Sequence, residues 1–127
     1  MGENSFGGRR IMVVEDDYLL VAGLIETLEA MGAEVVGPIP NVDQALRRLQ
    51  SSQNIDGAVL DVNVQGKMVF PLAEALSQQH VPYVFATGYD EGAVPAKFAE
   101  VTRFSKPTND QAIALTLLAA LQPQEIS

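Results

Sequence analysis

Short apolar runs alternate along this chain with longer segments whose apolar positions recur at helical spacing. Ile11 to Val14 form the first run, followed by three acids and then Val21, Leu24, Leu28 and Met31 on one helical stripe that stops at Gly32. "AEVVGPI" (33–39) predicts a second strand closed by Gly37 and Pro38, and Asn41 then caps a helix carrying Val42, Ala45, Leu46 and Leu49, with Gln44 at the capping-box position. "GAVLDV" (57–62) is a third strand, a loop holds Gly66, and "FPLAEALSQQ" (70–79) is a helix that tolerates Pro71 in its first turn. "VPYVFATG" (81–88) is the fourth strand and "RFS" (103–105) the fifth. Between them Gly92, Pro95 and few long apolar residues predict a fourth helix that is short or irregular. Thr108 is expected to cap a last helix with the stripe Ile113, Leu117, Leu118 and Leu121.

Strands alternating with helices predict an α/β fold: a five-stranded parallel sheet, doubly wound, with helices on both faces. The strands read as continuous apolar runs, as strands covered on both faces do. Residues 1–8 are expected to be a loose tail, 9–122 one domain, and 123–127 a second tail. At 127 residues and 47% hydrophobic, the chain carries enough apolar material for one core. It has no cysteine, which removes disulfides, thiolate metal sites and a cysteine nucleophile. Sixteen acidic against eight basic residues give a net charge of −8, which opposes binding to phosphate backbones and anionic lipids. The start lacks the long apolar run of a secretory signal or membrane anchor.

In such sheets the carboxyl ends of the strands face a common crevice. Glu15, Asp16 and Asp17 follow the first strand, Asp61 ends the third, Thr87 and Gly88 end the fourth, and Lys106 with Pro107 follows the fifth. Asp17 reads as charge at a helix start. The other carboxylates, crowded together, repel, and a hard divalent cation relieves them; Mg2+ suits a shallow site of two or three carboxylates shared with a phosphate. Lys106 supplies a second positive charge, Thr87 a hydroxyl, and Gly88 room for an incoming group. The set is suited to placing a phosphoryl group on Asp61, an already ionised nucleophile that needs no base.

The ordered marks "VVEDD", "LDVN", "ATG" and "KP", each at a strand end, resemble the receiver domain of two-component response regulators over residues 10–121. The resemblance implies a flavodoxin-like sheet of order 2-1-3-4-5. It makes Asp61 the phosphoacceptor, Glu15, Asp16 and Asp61 the Mg2+ ligands with the main-chain carbonyl of Asn63, Thr87 the hydroxyl that engages the phosphoryl group, and Lys106 its cation, commonly joined to Pro107 by a cis peptide. "FATGY" (85–89) is similar to the signature of the FAT GUY regulators, mostly single-domain receivers of alphaproteobacteria, although Asp90 stands where that signature has a second tyrosine. Arg103 holds the position where many receivers carry a switching aromatic, with Phe104 beside it, and the interval from Thr87 to Lys106 is short for the family.

The implied protein is a cytoplasmic stand-alone receiver, not a dedicated enzyme. It takes phosphate from a histidine kinase or histidine phosphotransfer protein and acts through a protein partner, as a monomer or weak dimer, without nucleic acid or membrane. The alternatives are a degenerate receiver used for docking, and an aspartyl-phosphate phosphatase. The second is disfavoured because Asn63 stands where such enzymes place an acid-base aspartate. His80, the only histidine, is expected to be exposed, and Tyr89 is either a rim aromatic or part of a partner surface.

Overall fold

A computed structural model of the chain describes residues 5–51, 54–88 and 94–121. Strands β1 (Arg10–Val14), β2 (Glu34–Ile39) and β3 (Gly57–Asp61) alternate with helices α1 (Tyr18–Ala30) and α2 (Val42–Gln50). A two-residue pair, β4 (Asn63–Val64) and β5 (Lys67–Met68), forms a small ribbon before α3 (Phe70–Gln78). Then come β6 (Tyr83–Thr87), a 3₁₀ turn over Ala96–Phe98, β7 (Arg103–Ser105) and α4 (Asp110–Leu121). The main sheet is parallel with order β2-β1-β3-β6-β7, which is the expected 2-1-3-4-5 once the ribbon strands are set aside.

The strands alternate their buried side chains between two cores. Met12, Val14, Ala58, Leu60 and Phe85 pack on one face against Val42 and Leu49 of α2 and Leu72 and Leu76 of α3. Ile11, Val13, Val59 and Val84 pack on the other against Leu24 and Leu28 of α1 and Ile113 and Leu117 of α4. Two helices therefore cover each face, and only the strand ends stay open to carry polar groups.

Three local expectations are corrected and a fourth, the loop at Gly66, is made specific. Phe6 belongs to no loose tail: it is fully buried, and the amides of Phe6 and Gly8 donate to the carbonyls of Met31 and Gly32 at 2.7 Å. An aromatic of this size gains about 2–3 kcal/mol from leaving water, which holds the segment down. Thr108 is not the cap of α4; Asn109 is, its Oδ1 accepting the Ala112 amide at 3.0 Å, while the Thr108 hydroxyl donates to Asp110 Oδ1. The loop holding Gly66 is a hairpin turn, with positive φ at both Gln65 (53°) and Gly66 (80°), the turn that suits strand twist. Finally, β2 runs through Gly37 and Pro38 instead of closing there.

That last difference shapes the site. Pairing runs Met12 to Val36 and then Val14 to Ile39, so β2 carries one extra residue, a bulge, against β1. Gly37 occupies it with φ +124°, and a Cβ there would lie 2.6 Å from the Val13 carbonyl oxygen and 2.8 Å from the Ile39 amide nitrogen, both backbone. The bulge places the Ile39 carbonyl to accept the Glu15 amide at 3.0 Å. Gly37→Ala should therefore cost about 2 kcal/mol in urea melts. An unchanged midpoint would show that the bulge yields to a methyl group.

Candidate functional site

Each expected site residue is placed by an element just described. Glu15 follows β1, Asp61 is the last residue of β3, Thr87 is the last of β6, and Lys106 follows β7, with Lys106 and Pro107 joined by a cis peptide. Because β1, β3 and β6 are parallel and in register, with Val14 beside Leu60 and Asp61 beside Ala86, their ends emerge together. Glu15 and Asp61 are buried, at 6% and 4% exposed, whereas Asp16 is exposed. Among the described residues, one group of carboxylates could share a metal ion: Glu15, Asp16 and Asp61, each with an oxygen within 4.8 Å of the others.

Lys106 bridges the two buried members. Its Nζ lies 2.7 Å from Glu15 Oε1 and 3.1 Å from Asp61 Oδ2. The other Glu15 oxygen accepts the Asp17 amide at 3.0 Å, and Asp61 Oδ1 accepts the Asn63 amide at 3.3 Å. Asp17 itself serves α1, its Oδ1 accepting the amides of Leu19 and Leu20, which is the helix-start role expected of it. Burial pushes the Glu15 carboxyl above its usual range. The charge on Asp61 adds to that rise, and the Lys106 hydrogen bond and Asp17 amide offset only part of it. On Lys106 burial is the largest single influence and opposes the charge, but Glu15 and Asp61 together outweigh it and hold the ammonium above the ordinary lysine value.

Three carboxylates against one ammonium leave the crevice with excess negative charge in partly buried surroundings. The donor set is all oxygen, which fits a hard divalent ion and not a soft one. Such an ion would neutralise the excess.

Thr87 sits beside the cluster without joining it. Its hydroxyl reaches the Phe104 carbonyl at 3.5 Å, and its carbonyl accepts the Lys106 amide at 2.9 Å, so it anchors the lysine-bearing segment to β6. Asn63 begins the ribbon and touches Asp61 through its amide. Arg103 is exposed and Phe104 half-buried against the α1 and α4 side of the core, so no aromatic stands at the usual switching position. His80 is exposed, as expected. Tyr89 and Asp90 lie outside the described residues. The sequence reading missed the direct Glu15–Lys106 ion pair, since 91 positions separate the partners and no local spacing signals it.

Fold and cluster together define a doubly wound α/β protein with an acidic, lysine-bridged crevice at its strand ends. Comparison with known proteins agrees. The solution structure of SdrG from Sphingomonas melonis Fr1 is 32% identical, covering 95% of this chain and 98% of that one, with a TM-score of 0.69. A BeF3-activated conformation of SdrG is 36% identical over 88% of this chain and 94% of that one, also at a TM-score of 0.69. A response regulator receiver protein from Sinorhizobium medicae WSM419 shares the fold, with a TM-score of 0.74 at 21% identity over 93% of this chain and all of that one. The sensor protein TorS of Escherichia coli (strain K12) is 34% identical over 73 residues, which are 58% of this chain and 8% of that protein. No family model matches the chain. It belongs to the receiver-domain family of two-component response regulators.

Proposed function

We propose that this protein is a phosphoacceptor receiver in which Asp61 takes a phosphoryl group from a histidine kinase or histidine phosphotransfer protein, with Mg2+ held by Glu15, Asp16, Asp61 and the Asn63 carbonyl. The observation that carries the reading is the convergence of Glu15, Asp61 and Lys106 from three strand ends within ion-pair distance. In the reaction an Asp61 oxygen attacks phosphorus, an O–P bond forms, and the donor's P–N bond breaks with its electron pair leaving on nitrogen. Lys106 is placed to follow the charge: with Glu15 turned to a bound cation, its ammonium would stay with Asp61 and meet the incoming phosphoryl oxygens. Thr87 gives up the Phe104 carbonyl and donates to the phosphoryl group. That exchange pulls on β6 and β7 and is how the surface seen by a protein partner changes, without the usual aromatic at Arg103.

The protein is not a dedicated enzyme in this reading, because Asn63 offers no acid or base for rapid hydrolysis. The signalling role proposed is a cytoplasmic one; among the described residues no helix is long and apolar enough to cross a membrane. The test is direct. Incubated with Mg2+ and phosphoramidate, the protein should gain one phosphoryl mass in intact-protein mass spectrometry, and chelation with EDTA should abolish the gain. Absence of any gain with Mg2+ present would overturn the proposal. A docking-only receiver would instead leave its amide spectrum unchanged on adding beryllofluoride.

A further inference from the structure

A cavity of about 300 Å³ runs inward from the acidic crevice between α1 and α4. Its floor is the sheet, at Val13, Val59 and Ala86, and its walls include Val21 and Leu24 of α1 and Ile113 of α4. All six are buried, so the inner part of the space reaches into the core, while exposed Leu20 and Pro107 line its open side. Its mouth carries Glu15, Asp61 and Asp110 against the single ammonium of Lys106. Gly23 borders this mouth, where a Cβ would sit 2.9 Å from Asp110 Oδ2, the end of a side chain that can turn aside.

Folded interiors pack to crystal-like density, and unfilled apolar space costs roughly 24 cal/mol per Å³. A void this large with charged lips has the form of a ligand pocket, and an apolar cavity of about 150 Å³ already accepts benzene. The charge at the lips selects the ligand. An anion would meet three carboxylates and a lysine already engaged by two of them, and a neutral molecule would leave the excess negative charge in place. A cation with an apolar body satisfies both parts.

We propose that the cavity binds a small amphipathic organic cation, an aryl or alkyl ammonium or amidinium of about ten non-hydrogen atoms, with its apolar body between α1 and α4 and its head on Glu15 and Asp61. On the phosphoacceptor reading, on which this consequence rests, such a ligand competes with the divalent ion and holds the receiver unphosphorylated. The site would then be an inhibitory input independent of the kinase.

The test is a methyl and amide NMR titration of the whole chain with 2-phenylethylammonium, without Mg2+ or phosphodonor. The expected result is saturable shifts at Val21, Leu24 and Ile113 with a dissociation constant of about 1 mM or tighter, and binding of neutral benzyl alcohol at least about tenfold weaker. Val21→Phe fills the cavity and should weaken binding of the cation by about tenfold or more while leaving Mg2+ affinity unchanged. Should that variant misfold, Val59→Leu serves the same purpose from the floor. No saturable shift, equal binding of the neutral probe, or full binding to a folded cavity-filled variant would each overturn the proposal. Because binding is read without phosphorylation, a chain that binds the cation but never takes phosphate sinks the phosphoacceptor reading alone.

Discussion

Asp61→Asn should gain no phosphoryl mass from phosphoramidate under conditions that fully modify the unaltered protein, and it should melt at an equal or higher temperature. The chemical half follows from the nucleophile: an amide oxygen lacks the charge that makes the carboxylate attack phosphorus without a base. The stability half follows from the crevice. Asp61 is a buried charge whose repulsion helps raise the Glu15 carboxyl, and Lys106 must serve both. With asparagine present, the one amide oxygen can accept from Lys106 Nζ while its NH2 group replaces the oxygen that took the long Asn63 amide bond, so one weak hydrogen bond is lost, but one desolvated charge is gone. A variant that still gains mass would place the acceptor elsewhere. One that melts well below the parent would show the Asp61–Lys106 pair to be net stabilising.

The second large effect is expected for Lys106→Met. Removing the Lys106 ammonium that bridges Glu15 and Asp61 leaves two buried carboxylates close together, and breaking a buried pair in this way costs roughly 3 kcal/mol at neutral pH. Phosphorylation should slow by about two orders of magnitude, because the donor aimed at the transferring group is lost. The sign of the pH dependence distinguishes this account from a simple packing defect. In the unaltered protein Lys106 titrates above its usual 10.5, so its stabilisation is present below that value and is lost as the pH climbs through the higher folded-state value. Glu15 titrates above its usual 4.5, so the folded state binds protons more readily than the unfolded chain and stability falls as the pH rises through that window. Without the lysine the Glu15 rise grows. Lys106→Met should therefore recover much of its deficit on mild acidification or on adding Mg2+, measured as thermal midpoints across pH. A deficit independent of both pH and Mg2+ would mean that the lysine acts by its stem packing, not by its charge.

Much of this was legible in the linear chain. Apolar runs of strand length marked four of the five sheet strands, the short "RFS" being the exception, and the polar residues after the strands named Glu15, Asp16, Asp61 and Lys106. Weak local signals blurred the rest. Phe6 gave no period to read, because its burial depends on Met31 and Gly32 folding back over it. The Gln65–Gly66 turn lacks the asparagine or aspartate that usually announces such a hairpin, and the cap shifted from Thr108 to Asn109 because both residue types can fill that place.

What the sequence determined alone was the order of elements, the doubly wound class and the identity of the charged groups, since each depends on short-range periodicity and residue type. The tertiary structure decided which of those charges share a lysine, how far burial moves them, where Thr87 turns its hydroxyl, and that a bulge at Gly37 and a cavity between α1 and α4 flank the crevice. Those depend on groups far apart in the chain meeting at a few ångströms, and electrostatic energy in a partly desolvated pocket is set by that distance and by the water excluded from it.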